Sequence, residues 1–255
     1  YQIIVFLADK FFGDFGLVTL NATLVLLSFV VLLVRCSRQW PLNQISWWQV
    51  LFFLAVWSVS FLFEIRPHVL SWLYLNLILL ILEDYYEHEN NFLFLLPVIM
   101  LLWTNSHSIF VLGWIVIGCY AIGQCWQEKK IWTPLTLVAI ISIAVSFLNP
   151  YVSRGVAYPF HQFALLQSGN VFKETIAELA SPMNLEDYVA NGRFTLFQPL
   201  FPFHLFFVVS VAAVLIRIRR IRIHELMLFL FFGYLALTGM RNIGNFIFVA
   251  FPATV

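Results

Sequence analysis

Long apolar runs separated by short polar interruptions dominate this chain. A helix needs roughly 20 apolar residues to cross the hydrocarbon core of a bilayer, and the longer runs approach that length. The pattern therefore predicts an all-α fold, a polytopic transmembrane bundle of seven to nine helices. The predicted spans are residues 17–34, 46–63, 69–82, 92–103, 109–126, 131–148, 201–216 and 226–240, followed by a last apolar piece after Arg241-Asn242.

Two segments do not fit a spanning pattern. Residues 1–16 place Gln2, Asp9, Lys10 and Asp14 on one side of a helical wheel and apolar residues on the other, which predicts an interfacial amphipathic helix. Residues 151–200 have mixed polarity and cannot cross a bilayer, so we expect an extracytoplasmic loop that forms a partly ordered cap. Both belong to a single transmembrane domain over residues 1–255.

A polar interruption at residues 103–108, with the sequence Trp-Thr-Asn-Ser-His-Ser, separates two strongly apolar runs. The run before it, residues 92–103, carries no charge. An unpaired amide or imidazole inside hydrocarbon costs several kcal/mol. Asn105 and His107 are therefore expected at a membrane surface, facing water or held by partners.

The charges in the short loops predict the orientation. If each span crosses once, eight basic residues share one side, whereas Arg66 and Arg241 lie opposite. The positive-inside rule puts the eight in the cytoplasm. They are Arg35, Arg38, Lys129, Lys130, Arg217, Arg219, Arg220 and Arg222. The polar residues expected on the extracytoplasmic face are Arg66, His68, Asn105, His107, Asn149, Arg241 and Asn242.

Composition agrees with a membrane protein. Hydrophobic residues make up 62% of the chain and charged residues 11%, and the mean hydropathy is +0.88. These values exclude an ordinary soluble domain of this size. The net charge of +1 argues against a nucleic-acid partner. The three cysteines lack metal-ligand spacing and are interpreted as buried small residues.

Five short motifs occur along the chain. They are Arg66-Pro67-His68, Trp103-x-Asn105-x-His107, Asn149-Pro150, the run Ile-Ala-Glu-Leu-Ala-Ser-Pro at residues 176–182, and Arg241-Asn242-Ile243. In this order and spacing the chain resembles bacterial multi-spanning membrane proteins of the C-type glycosyltransferase (GT-C) superfamily. The resemblance covers nearly the whole chain.

The resemblance implies an enzyme of the cell envelope, in the inner (plasma) membrane, that transfers a sugar from a polyprenyl-phosphate carrier to an acceptor on the extracytoplasmic face. Arg66 and Arg241 would bind the phosphate leaving group, since guanidinium forks bind phosphate oxygens bidentately. His68 and His107 would donate hydrogen bonds or act as acid or base. Asn105, Asn149 and Asn242 would line the same substrate site.

The resemblance also concerns the catalytic acid. Glu178 is the one acidic residue inside a family-like motif, and it would position the acceptor or a divalent metal. In the superfamily the main acid lies in the first extracytoplasmic loop, which here would precede Tyr1. We therefore interpret the chain as a piece of a longer protein, expected to bind the lipid-linked sugar without transferring it.

Other interpretations of the same residues stay open. Arg66 and Arg241 could only reach lipid headgroups, Asn149 could be a helix cap, and Asn105 and His107 could join helices by hydrogen bonds. The alternative functions are a non-catalytic assembly subunit of the same fold and a transporter or flippase of a lipid-linked substrate. A transporter would place ionisable groups near the bilayer midplane, whereas these polar interruptions lie at span ends.

Overall fold

The computed structural model describes residues 1–39, 47–88, 91–165, 176–183, 189–190, 193–194 and 200–254. Within that part of the chain the predicted all-α class is confirmed, with only a two-residue antiparallel pairing of Val189–Ala190 and Arg193–Phe194 besides helix. The helices are α1 (Gln2–Gln39), α2 (Trp48–Val59), α3 (Pro67–His88), α4 (Leu95–Thr104), α5 (Val111–Glu128), α6 (Pro134–Val145), α7 (Ser153–Leu165), α8 (Phe201–Arg217), α9 (Ile223–Thr238) and α10 (Ile243–Thr254).

In the part of the chain that the structure describes, three helices are long and apolar enough to cross a membrane. They are Gln2–Gln39, Pro67–His88 and Ser108–Glu128, the last combining a short 3-10 turn with α5. The predicted spans 92–103 and 131–148 fold as α4 and α6, which have 10 and 12 residues. At about 1.5 Å per residue these helices cover roughly half of a bilayer core of about 30 Å. The number of crossings therefore stays a prediction.

Helix α1 contains the break expected between the interfacial segment and the first span. Gly13 has φ 58° and ψ −150°, which is a left-handed conformation that glycine adopts without steric cost. The bend brings the backbone of Ala8 so close to Gly16 that a side chain at residue 16 would collide with the Ala8 carbonyl oxygen. Glycine at both positions lets the exposed apolar side chains of the first segment, such as Phe6 and Phe11, take a different direction from the span.

The chain divides into two compact units. Unit 1 consists of Tyr1–Arg35, Phe63–Leu166 and Arg222–Glu225, and unit 2 consists of Cys36–Leu62, Gln167–Ile221 and Leu226–Val255. In unit 2, α8 packs against α2 and α10, and stacked Phe206 and Phe251 rings lie in its core. The single-domain organisation expected from the sequence stays a prediction.

In unit 1 the polar residues gather at opposite ends of the packed helices. α3 packs against α4 and α5, and both of these pack against α6. Hydrogen bonds join the start of α3 to the residues between α4 and α5, and join those residues to the end of α6. We call this the Arg66 end. The other end, with Arg35, Glu83 and the start of α9, is the Arg35 end. The predicted division of the loops between two membrane surfaces stays a prediction.

One expectation about the Arg35 end was wrong. The sequence placed Arg35 in a cytoplasmic loop, but α1 continues to Gln39 and the Arg35 side chain is only 1% exposed. Its Nε and Nη2 atoms donate to the two carboxylate oxygens of Glu83, at 2.9 and 2.7 Å, and its Nη1 donates to Asn76 Oδ1 at 2.8 Å. The acidic residues that follow the predicted span 69–82, from Glu83 to Glu87, also lie inside a helix, since α3 runs to His88. Both helices therefore continue beyond the predicted spans, to Gln39 and to His88.

A cluster of aromatic rings lies at the Arg35 end. The His224 ring, 2% exposed, lies 4.7 Å from the Tyr86 ring centroid and 4.3 Å from that of Tyr120. Arg222 forms an ion pair with Glu87 beside them. Burial alone lowers the pKa of Arg222, but the hydrogen bond and charge of Glu87, together with the charge of Glu225, outweigh it and raise the pKa. Glu87 thus gives the Arg222 guanidinium a charged partner at this end.

Gly123 is expected to tolerate no side chain in this cluster. A Cβ atom there would lie 2.7 Å from His224 Nδ1 and 3.1 Å from its Cβ. Because overpacking a filled core costs about 1–3 kcal/mol, we expect Gly123→Ala to lower the thermal unfolding temperature of the detergent-solubilised protein. Gly118→Ala, on the same helix with nothing within 4 Å of the added Cβ, is the matched control. Equal effects of the two substitutions would contradict the packing described here.

Candidate functional site

Arg66 lies directly before the first residue of α3. Pro67 begins the helix, as its fixed φ and missing N–H favour. The Arg66 Nε atom is 2.8 Å from a carboxylate oxygen of Glu64, and the two side chains are 48% and 52% exposed. Exposed ion pairs contribute little to stability, about 0–1 kcal/mol. The contact orients the guanidinium at the Arg66 end without burying its charge.

His68 lies in the first turn of α3. Its ring meets the buried Trp72 ring edge-on, with centroids 5.0 Å apart. The imidazole is partly exposed. This packing keeps the imidazole on the same helix end as Arg66.

His107 is tied to α3 through Ser71. Its Nδ1 atom is 2.7 Å from Ser71 Oγ, which also accepts a hydrogen bond from Trp103 Nε1 at 2.9 Å. Ser71 and Trp103 are buried. His107 itself follows the end of α4 in extended backbone. Since Ser71 lies one helical turn after Pro67, this network holds His107 next to the turn that carries His68.

The amides of Asn105 and Asn149 have structural partners. Asn105 Nδ2 donates to the carbonyl oxygens of Leu101 and Leu148, at 2.9 and 3.1 Å, and so joins α4 to the end of α6. Asn149 Nδ2 donates to the carbonyls of Ser146 and Val152, while its Oδ1 accepts from the backbone N–H of Tyr151. These contacts favour the interpretations of Asn105 as a helix-joining residue and of Asn149 as a cap.

Unit 2 holds the other predicted site residues. The backbone N–H of Met240 donates to the Ala180 carbonyl at 3.0 Å, so the segment containing Glu178 lies against the turn containing Arg241. Arg241 is exposed, yet the surrounding protein lowers its pKa, and the charge of Glu178 acts in the opposite direction. Asn242 is buried.

Asn242 has a structural contact of its own. Its Nδ2 atom donates to the Leu235 carbonyl at 3.1 Å, which connects the turn to α9. Arg241 and Glu178 therefore remain as the functional candidates of unit 2, a cation and a carboxylate that interact electrostatically.

The predicted residues thus fall into two sets. Unit 1 brings together Arg66, His68 and His107, with Asn105 and Asn149 as structural supports, and unit 2 brings Arg241 and Asn242 to Glu178. Convergence of the two sets on one cavity stays a prediction. Among the described residues, no group of three or more His, Cys, Asp or Glu side chains is placed to hold a metal ion.

Sequence reasoning missed Ser71, Trp103 as a hydrogen-bond donor, and Glu64. A serine in an apolar helix gives no signal without knowledge of the residue facing it. Glu64 was visible in the sequence two residues before Arg66, and its charge could have suggested the pair. No family model, no curated protein and no solved structure matches this chain, so its own residues carry the functional interpretation.

Proposed function

We propose that the protein is a membrane glycosyltransferase that takes a sugar from a polyprenyl-phosphate carrier and transfers it to an acceptor at the membrane surface. One observation carries the proposal. His107, which lies between α4 and α5, is hydrogen-bonded to Ser71 one turn after the Arg66-Pro67-His68 motif. A guanidinium and two imidazoles from separate segments therefore occupy the same end of unit 1.

This grouping suits a phosphate leaving group. As the bond between the sugar C1 and the phosphate oxygen breaks, negative charge develops on the phosphate, and fixed donors stabilise it. Arg66 would exchange its exposed contact with Glu64 for the phosphate, because charge-assisted bidentate bonds are stronger than an exposed ion pair. His68 and His107 would add one donor each.

The acceptor hydroxyl forms the new bond to the sugar. Its oxygen attacks C1 while a carboxylate takes the hydroxyl proton, so the sugar passes to the acceptor and the polyprenyl phosphate leaves. We give Glu178 the role of positioning the acceptor. Arg241, whose charge interacts with Glu178, would hold the Glu178 carboxylate in place.

The proposal places the Arg66 end on the extracytoplasmic face of the inner membrane, in a bundle of seven to nine crossing helices with residues 151–200 as the cap. The bias of the loop charges supports this orientation. In a variant lacking the native cysteines, Tyr151→Cys is expected to react with an impermeant thiol reagent on right-side-out vesicles. Arg219→Cys, also exposed, is expected to react only after permeabilisation. The reverse pattern would refute the orientation.

The activity is tested with purified full-length protein and a synthetic polyprenyl-phosphate sugar, following release of polyprenyl phosphate and labelling of acceptor glycans. Transfer is expected with the lipid-linked donor and not with a nucleotide sugar. Donor binding without transfer would favour a non-catalytic assembly subunit. Movement of the intact lipid-linked sugar between leaflets, without cleavage, would favour a flippase. Either result would overturn the proposal.

A further inference from the structure

The Trp103–Ser71–His107 network leaves little freedom for its hydrogen atoms. Indole Nε1–H is a donor only, so Ser71 Oγ must accept from Trp103 at 2.9 Å. The serine has one hydroxyl hydrogen and two acceptors within reach, namely His107 Nδ1 at 2.7 Å and the Pro67 carbonyl oxygen at 3.4 Å. The way this hydrogen points decides which nitrogen of His107 carries its proton.

The distances favour donation to His107. With the hydroxyl hydrogen on the 2.7 Å contact, Ser71 accepts one short hydrogen bond and donates another. In the opposite arrangement, Ser71 accepts from both Trp103 and His107, and its own hydrogen is left with the 3.4 Å contact to Pro67. Because Ser71 is 1% exposed, water does not replace the weaker bond. The network is therefore best satisfied when Nδ1 is an acceptor.

We propose that Ser71 and Trp103 are positioning residues that fix His107 as a neutral imidazole with its hydrogen on Nε2. His107 is then a hydrogen-bond donor at the Arg66 end and does not serve as a general base. This decides between the two roles that the sequence left open for His107. The further step, in which Nε2–H contacts a phosphate oxygen of the lipid-linked donor, rests on the proposed function.

The first test determines which ring nitrogen of His107 is protonated, and it needs no substrate. Long-range ¹H–¹⁵N spectra of the full-length protein labelled at histidine are expected to show His107 with a protonated Nε2 and an unprotonated, hydrogen-bonded Nδ1; the signals are assigned by their loss in His107→Gln. Ser71→Ala is expected to shift the Nδ1 resonance. A protonated Nδ1 in the wild type, or an unchanged Nδ1 resonance in Ser71→Ala, overturns the proposal.

A matched control lies at the same end of unit 1. Ser146 is buried and accepts a hydrogen bond from Trp114 Nε1 at 3.0 Å, so it repeats the Trp–Ser contact without a histidine. Ser146→Ala removes an equivalent hydrogen bond and is expected to leave the His107 signals unchanged. If Ser146→Ala shifts them as much as Ser71→Ala does, the response reflects general loosening and the positioning role is refuted.

The second test uses transfer activity. The side-chain amide of Gln places a donor near the Nε2 position of histidine, whereas that of Asn places one near Nδ1. We expect His107→Gln to retain most activity and His107→Asn to lose about ten- to a hundred-fold, as for a lost hydrogen bond to a charged group. Equal losses would indicate a general base and overturn the donor role. If the wild type shows no transfer, the proposed function fails, and the spectra alone decide the positioning role.

Discussion

Replacing Arg35 with alanine is expected to lower the free energy of unfolding by about 3–5 kcal/mol, the usual cost of removing one partner of a buried ion pair. Three hydrogen bonds of its guanidinium are short, two to Glu83 and one to Asn76. Asn76 is fully buried and its amide donates to the Trp72 carbonyl, so it has no freedom to turn toward solvent. Without Arg35, the carboxylate of Glu83 and the oxygen of Asn76 lose their donors.

Thermal unfolding of the detergent-solubilised protein measures this effect. Arg38→Ala, three residues further along α1 and exposed, is the control and is expected to change stability by less than about 1 kcal/mol. The double variant Arg35→Met and Glu83→Met is expected to regain only part of the loss, because apolar replacement of a buried pair is often neutral but the buried Asn76 oxygen still lacks its donor. A single Arg35→Ala variant as stable as the wild type would show that the pair is not buried in the membrane-embedded protein.

Arg66→Ala is expected to weaken use of the lipid-linked donor by about ten- to a hundred-fold, which corresponds to the loss of a charge-assisted hydrogen bond of about 1.5–3 kcal/mol. Its effect on unfolding is expected to be small, since its ion pair with Glu64 is half exposed. Arg66→Lys should recover part of the activity, because an ammonium replaces a planar fork. Arg241→Ala is expected to act in the same direction. The measurement is kcat/KM for the synthetic donor.

The matched controls separate donor binding from folding. Lys129→Ala removes an exposed cation at the Arg35 end and is expected to leave kcat/KM unchanged. Glu64→Gln keeps the size of the side chain but removes the competing carboxylate, so it is expected to leave donor affinity equal or higher. If Arg66→Ala and Lys129→Ala reduce transfer equally, the effect is on insertion or stability, and the phosphate-binding role of Arg66 is wrong.

The apolar pattern predicted the helical class and the positions of the polar interruptions because both depend on local properties. The interruption at residues 103–108 does mark the junction of two helices, since α4 ends at Thr104 and α5 begins at Val111. A run that contains Asn, Ser and His so close together cannot stay in hydrocarbon without partners. The break after residue 16 was approximately right as well, because Gly13 supplies the conformation that ends a regular helix. The predicted helix ends were less accurate, since α3 continues past the predicted end at residue 82, through Glu83, Asp84 and Glu87, to His88.

The candidate site could be predicted from the sequence only as a set of residue types. Arg66, His68 and His107 were found because charged and imidazole side chains are costly to bury and therefore mark the ends of apolar runs. The sequence did not decide whether Asn105 and Asn149 have structural or ligand-binding roles, because an amide can bind a ligand or a backbone carbonyl equally well. Only the positions of the Leu148 and Val152 carbonyls showed that the two amides make structural hydrogen bonds.

The sequence by itself determined a membrane-type helical chain, the places where the helices are interrupted, and the residues whose charge needs an explanation. These features follow from hydrophobicity and local conformational preference, which are properties of each short segment by itself. Only the tertiary structure decided that Arg35 is a buried partner of Glu83 rather than a loop residue, and that Ser71 faces His107. Both contacts join residues more than thirty positions apart, and the energy of a charge or a hydroxyl depends on which group faces it across the helix interface.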